Sequence, residues 1–211
     1  MARNKYPEVT VDKILDVSQK LFLEKGYDNT TIQDIVDELG GLTKGAIYHH
    51  FKSKEEIMDA LGNRMFFNNN PFEAVKKRTD LNGIEKIKMA IILNQSNESQ
   101  KELTKQAIPI LKNPRVFVKM IETNRQILSP YWLELIEEGR RDGSIQTEYA
   151  KELSELLVLL DIWMIPSVFP ADLEEMGRRY QFILEMLEKM GLPLCDEKIM
   201  DMVKHLPYYM E

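Results

Sequence analysis

Residues 30–56 read TTIQDIVDELGGLTKGAIYHHFKSKEE, and this stretch decides the fold. Ile32, Ile35, Val36 and Leu39 recur at intervals of three and four, the spacing of one face of a short helix. Either Thr30 with Gln33 or Thr31 with Asp34 supplies its capping residues. Gly40-Gly41 stops it. Thr43 caps a further short helix. Leu42 before that cap and Ile47 after it sit where a hydrophobic staple would fix the entry angle. Ile47 and Phe51 lie one turn apart and face inward. Another helix starts at Ser53, where Glu56 completes a capping box, and its apolar row is Ile57, Met58, Leu61 and Met65.

Upstream, Val11, Ile14, Leu15, Ser18, Leu21 and Phe22 make one face of a first helix, with Thr10 as its natural N-cap and Gly26 as its end. Three short helices in about 50 residues, the second and third joined by a glycine-containing turn, fit a helix-turn-helix. In that unit the second helix braces the third, whose exposed face enters the DNA major groove. Thr43, Lys44, Gly45, Tyr48 and His49 form the outward face. Gly45 lets the backbone approach a phosphate closely. Tyr48 and His49 can donate to phosphate oxygens or reach base edges. Lys44, Lys52 and Lys54 supply charge, and the free N–H groups that open the third and fourth helices favour phosphate. Arg3 and Lys5 would form a short basic arm.

The run Thr30-Thr31-Ile32-Gln33-Asp34-Ile35-Val36, followed by Thr43 to Glu56, resembles the most characteristic sequence of the tetracycline-repressor (TetR) family. The resemblance covers about residues 10 to 60. It implies a homodimeric regulator of double-stranded DNA, most often a repressor, with a small-molecule effector pocket in a second domain. It also implies DNA contacts from the positions matching Gln33, Thr43, Lys44, Ala46, Tyr48, His49 and Lys54. Thr31 and Gly45 complete the candidate set. The turn Gly40-Gly41-Leu42 is one residue longer than is usual in the family. Ala46 stands where Thr or Ser is common, and it can touch a thymine methyl but cannot hydrogen-bond.

The chain has 211 residues, which accommodates one domain or two small ones. Apolar residues make up 44% and charged residues 29%, which excludes chain-long disorder and fibrous repeats. The one cysteine, Cys195, cannot form an internal disulfide, and a reducing cytoplasm is expected. Net charge is −6, but residues 1–54 carry eight basic and eight acidic side chains and are neutral. Gly40 to Lys54 contains three lysines, two histidines and no acid. A polyanion is therefore repelled by most of the chain and tolerated at one place. Residues 1–20 have no apolar signal-type core. The strongest apolar stretch, Leu156 to Phe169, is 14 residues long, includes Asp161 and Pro166, and falls short of the ~20 that a membrane span needs.

The remaining sequence is helical throughout, with Asn68-Asn69-Asn70-Pro71 as its clearest break. Helices are expected over Gly83–Leu93, Gln100–Leu111, Pro114 toward Leu128, Ser129 to about Asp142, Glu148–Ile165, Asp172–Met190 and Asp196–Leu206. Glu148–Ile165 is apolar nearly all round, so it is expected to be buried on more than one side. The expectation is an all-α protein: a DNA-binding domain over 1–55, a linking helix over 53–67, and a ligand-binding and dimerisation domain over 68–211. Glu148–Ile165 and Asp172–Met190 of two chains would form the dimer bundle. Met89, Phe117, Met120, Tyr131, Trp132, Trp163 and Met164 are the candidate effector-pocket residues.

No cofactor or metal site is expected. The adjacent His49 and His50 point about 100° apart on a helix and cannot chelate, and His205 is distant in sequence. No Walker-type or dinucleotide glycine loop and no nucleophile elbow appears, and no constellation of titratable groups suggests an enzyme. The alternative is a helix-turn-helix protein without a small-molecule ligand: a protein-controlled regulator, an activator or a nucleoid factor.

Overall fold

The computed structural model describes residues 7–67, 70–96 and 110–204, and no strand occurs among the described residues. Arg3, Lys5, most of the expected Gln100–Leu111 helix and everything after Lys204, including His205, lie outside them. The chain forms two compact units, Met1–Asn68 with Gln106–Lys119, and Asn69–Lys105 with Met120–Glu211.

The first unit holds α1 (Pro7–Lys25), α2 (Ile32–Leu39), α3 (Lys44–His50) and α4 (Lys54–Phe67). α1 starts at Pro7 rather than after Thr10. A proline suits the first helical turn, because its fixed φ is already helical and its missing N–H would have no partner there. Ile14, Phe22, Ile35, Ile47 and Ile57, one or more from each helix, are buried to within 1% of complete. Leu42 and Met58 pack against this core from partly buried positions, and so does Leu111, while Val116 is part of it. Sequence periodicity gave no sign of these last two, which reach it from a different part of the chain. Gly40 sits at φ +59° after α2, a left-handed turn that a side chain would strain.

In the second unit the break at Asn70-Pro71 proves to be a helix start. The Asn70 side-chain oxygen accepts from the Phe72 N–H at 2.9 Å and opens α5 (Pro71–Lys76). α6 (Gly83–Ser96) follows. α7 (Pro114–Thr123) continues through a π turn, Asn124–Leu128, into α8 (Ser129–Asp142). Residues 114–119 of α7 belong to the first unit. Pro130 explains the turn: it cannot donate to the previous helical turn, and the ladder loosens so that Ser129 donates to the Asn124 carbonyl. α6 crosses α8 at Gly83 and Gly139, where a Cβ on Gly83 would lie 2.2 Å from the Gly139 nitrogen. The Asp142 carboxylate accepts from the Gly83 N–H at 2.7 Å at the same crossing.

α9 (Ala150–Trp163), α10 (Leu173–Lys189) and α11 (Glu197–Lys204) are the last of the described helices. Asp172 and Glu175 form a capping box at the start of α10. Within one chain α9 is not enclosed all round, contrary to the expectation. Leu153, Leu157, Val158 and Ile162 are buried on one face, whereas Leu159 is 55% exposed. Among the described residues no other element covers it. α10 likewise buries Met176, Leu184 and Leu187 but leaves Leu173 at 55% and Phe182 at 56% exposed, and Met190, which caps its end, at 37%.

Candidate nucleic-acid interface

α2 and α3 are each fixed by a local cap. At α2 the alternative resolves to Thr31 with Asp34. The Asp34 N–H donates to the Thr31 hydroxyl oxygen at 3.1 Å, and the Thr31 N–H donates to the Asp34 carboxylate at 2.8 Å. Thr30 is instead buried, its hydroxyl donating to the Leu21 and Gly26 carbonyls at 3.2 and 2.8 Å. At α3 the Thr43 hydroxyl accepts from the Ala46 N–H at 3.2 Å, which leaves its own proton free to donate outward. Ile47 is fully buried beneath α3, and Phe51, which ends it, is 7% exposed. These two anchors turn the opposite face outward.

That face is the expected one. Thr43, Lys44, Gly45, Tyr48 and His49 are exposed, and Ala46 is half-buried. Thr31 and Gln33 are exposed at the start of α2, where the Gln33 amide donates to Asp37 at 2.8 Å. No ion pair engages Lys44 or Lys52 among the described residues.

The acids of α2 are neutralised from behind. Lys25 of α1 pairs with Asp34 at 2.8 Å, and Lys20 of α1 pairs with Glu38 at 2.7 Å. The Lys25 ammonium and the Thr31 donors hold the Asp34 carboxyl well below the usual carboxylate range. These pairs are exposed and add little stability, but they reduce repulsion of a phosphate backbone at the helix that braces α3. In the sequence Lys20 and Lys25 stand out only in the charge balance. Their partners lie 18 and 9 residues away, at no helical spacing.

Lys54 differs from the other candidates. It is half-buried, and its ammonium donates to the carbonyls of Tyr27 at 2.6 Å, Thr30 at 2.9 Å and Asp28 at 3.4 Å. It also lies 4.3 Å from the centre of the Tyr27 ring. Its three protons are thereby engaged within the protein. At α4 the Ser53 hydroxyl accepts from the Glu56 N–H at 3.3 Å, while the Glu56 carboxylate reaches back to the Lys52 N–H at 2.7 Å, one residue earlier than a standard capping box.

The candidate effector residues fall into two clusters and several separate positions. Tyr131 stacks on Phe72 with ring centres 5.1 Å apart, and Trp132 meets the same ring edge-on at 4.6 Å. Trp163 meets Phe182 at 5.9 Å, and with Glu175, Arg178 and Arg179 they line a shallow surface cleft. Met89, Met120 and Met164 are half-buried in the second unit, and Phe117 is half-buried on the part of α7 that belongs to the first. Among the described residues no three His, Cys, Asp or Glu side chains converge as metal ligands. None of the described helices is long and apolar enough to cross a membrane.

A capped, outward-facing helix with free lysine and aromatic donors, braced by a second helix across a glycine turn, defines a helix-turn-helix DNA-binding protein. Residues 14–61 match the family model of bacterial regulatory proteins, tetR family. The repressor KstR2 of Mycolicibacterium smegmatis is 22% identical over 191 residues, spanning 82% of this chain and 87% of that one. The IcaR negative regulator of the Staphylococcus epidermidis biofilm operon icaADBC is 48% identical over 46 residues, 22% of this chain and 24% of that one. The fold is that of SmeT in its triclosan complex, with a TM-score of 0.67 at 22% identity over 86% of this chain and 91% of SmeT. A TetR transcription regulator from Haloarcula marismortui gives a TM-score of 0.64 at 18% identity over 86% and 98%. Over residues 14–61 the chain thus carries the DNA-binding domain of bacterial regulatory proteins of the tetR family.

Proposed function

We propose that this regulator is a repressor that binds a near-palindromic operator as a homodimer and is released by a small-molecule effector. The observation that carries the reading is the outward face of α3, where Thr43, Lys44, Gly45, Ala46, Tyr48 and His49 lie together on a helix locked by Thr43 and Ile47. Lys44 neutralises phosphate, and Tyr48 and His49 reach base edges or phosphate oxygens. Thr31 and Gln33 approach the adjacent backbone from the start of α2. The exposed Leu159, Leu173 and Phe182 of α9 and α10 support two-fold pairing of the second unit. Two-fold symmetry in turn sets the recognition helices about 34 Å apart, or a multiple of that.

An effector acts only through its differential affinity for the bound and released conformers. The second unit supports such a site in the aromatic cluster around Phe72. The Trp132 indole N–H there is buried without a hydrogen-bond partner among the described residues, a position that an acceptor on an effector would satisfy.

The test is fluorescence anisotropy of the full chain on DNA from immediately upstream of its own gene, against a scrambled duplex, at several salt concentrations. Tight binding to the upstream DNA alone, weakening steeply with salt, is expected. Equal binding to both duplexes would replace the operator-specific reading with a nucleoid-type one.

A further inference from the structure

We infer that Lys54 is a positioning residue: its ammonium locks the turn between α1 and α2 onto the start of α4, and so sets how α2 presents α3 to DNA. The inference rests on the DNA-binding reading above. The ammonium engages three carbonyls of one turn, those of Tyr27, Asp28 and Thr30, at 2.6 to 3.4 Å, and covers the Tyr27 ring at 4.3 Å. This turn follows the C-terminus of α1, where backbone carbonyls lack helical partners and a cation is favoured.

The same turn leads without a break into the cap of α2. Thr30 ties it back to Leu21 and Gly26, and Thr31 closes the capping box. From the other side, the Asn113 amide donates to the Asp28 carboxylate. Residues 27–31 are thus held by α1, α4 and the segment before α7, and they fix where α2 begins. α2 in turn braces α3. A lysine whose protons are spent in this way contributes position rather than a phosphate contact.

The chemistry separates the two roles. A phosphate-binding lysine tolerates arginine, whose guanidinium binds phosphate at least as well. A compact cradle of three carbonyls requires the point-like ammonium and does not accept a planar fork. The experiment therefore compares wild type, Lys54→Met, Lys54→Arg and a Lys52→Met control in the full chain. Anisotropy on the operator duplex is measured over a salt series, and amide hydrogen exchange is followed without DNA. The expected result is that Lys54→Met and Lys54→Arg both lose about tenfold in operator affinity with an unchanged salt slope. Exchange over residues 27–39 should accelerate in both. Lys52→Met should instead lower the salt slope by about one.

Loss of one unit of slope in Lys54→Met, with Lys54→Arg behaving as wild type, would overturn the inference in favour of a phosphate contact. Unchanged exchange would overturn it as well. The exchange arm needs no DNA, so wild-type protein that binds no duplex would sink the DNA-binding reading while the locking role is still decided.

Discussion

Tyr48 is 45% exposed on the helix that buries Ile47 completely, and adjacent residues of a helix cannot share a face. That contrast makes Tyr48 and its neighbour one turn back, Lys44, the residues whose loss should be felt first by DNA. Tyr48→Ala and Lys44→Ala are each expected to weaken operator binding about 10- to 100-fold, the range of about 1–3 kcal/mol per good contact. Only Lys44→Ala should also flatten the salt slope, by about one. Sedimentation should show the oligomeric state unchanged, and normal operator binding by both variants would refute the assignment of α3.

A second residue-scale prediction concerns Tyr27. Burial first, and then the Glu55 carboxylate, push its hydroxyl up to about 12. The folded unit therefore holds this proton more tightly than the unfolded chain, whose tyrosine titrates near 10. The stability linked to Tyr27 is complete below pH ~10 and is lost as pH rises toward ~12. Spectrophotometric titration should show a late tyrosinate step that disappears in Tyr27→Phe.

At the scale of elements, α2 and α3 were legible because the caps that start them are local. Thr31 with Asp34 and Thr43 with Ala46 each lie within three residues, and Leu42, which packs against the core that holds Ile47, is five residues from it, so a sequence window contains each pair. What was not legible acts across the chain. Lys54 reaches back 24 to 27 residues, and Asn113 meets Asp28 over 85. No helical period links such positions, which is why Lys54 reads in sequence as one more cation of a basic window. α5 escaped for a different reason. Its six residues are too few for periodicity, and Pro71 reads as a breaker when it is the first residue of the helix.

The α2 cap gives a prediction at this scale. Removing it with Thr31→Ala should cost about 0.5–2 kcal/mol and speed amide exchange in α2. The Asp34 carboxyl, held below its ordinary range by Lys25 and Thr31, contributes stability that is present above the unfolded carboxylate pKa of about 4. That contribution is lost as pH falls below about 4. Thermal melts of the wild type should steepen in that direction, and Asp34→Asn should flatten the dependence.

At the scale of the whole molecule, a head of zero net charge in a chain of −6 cannot rely on general attraction to DNA. One recognition helix of seven residues offers few contacts, so useful affinity requires two heads on one operator. The surface proposed for that pairing is on α9 and α10, where Leu159, Leu173 and Phe182 are each more than half exposed while their neighbours Val158, Met176 and Leu184 are buried. In an isologous interface each such residue meets the partner's copy of the same patch, so a single charge is introduced twice and repels itself. Phe182→Glu should therefore yield monomers in light scattering with the helical circular dichroism retained. Because Phe182 also touches Trp163, Leu173→Glu serves as an independent variant that disturbs no described aromatic pair. Both should lose operator affinity by a factor of about 10²–10⁴, the advantage of linking two binding modules, while retaining the weak binding of one head. Wild-type protein that is already monomeric at micromolar concentration would refute the pairing, and variants that remain dimers would place its surface elsewhere.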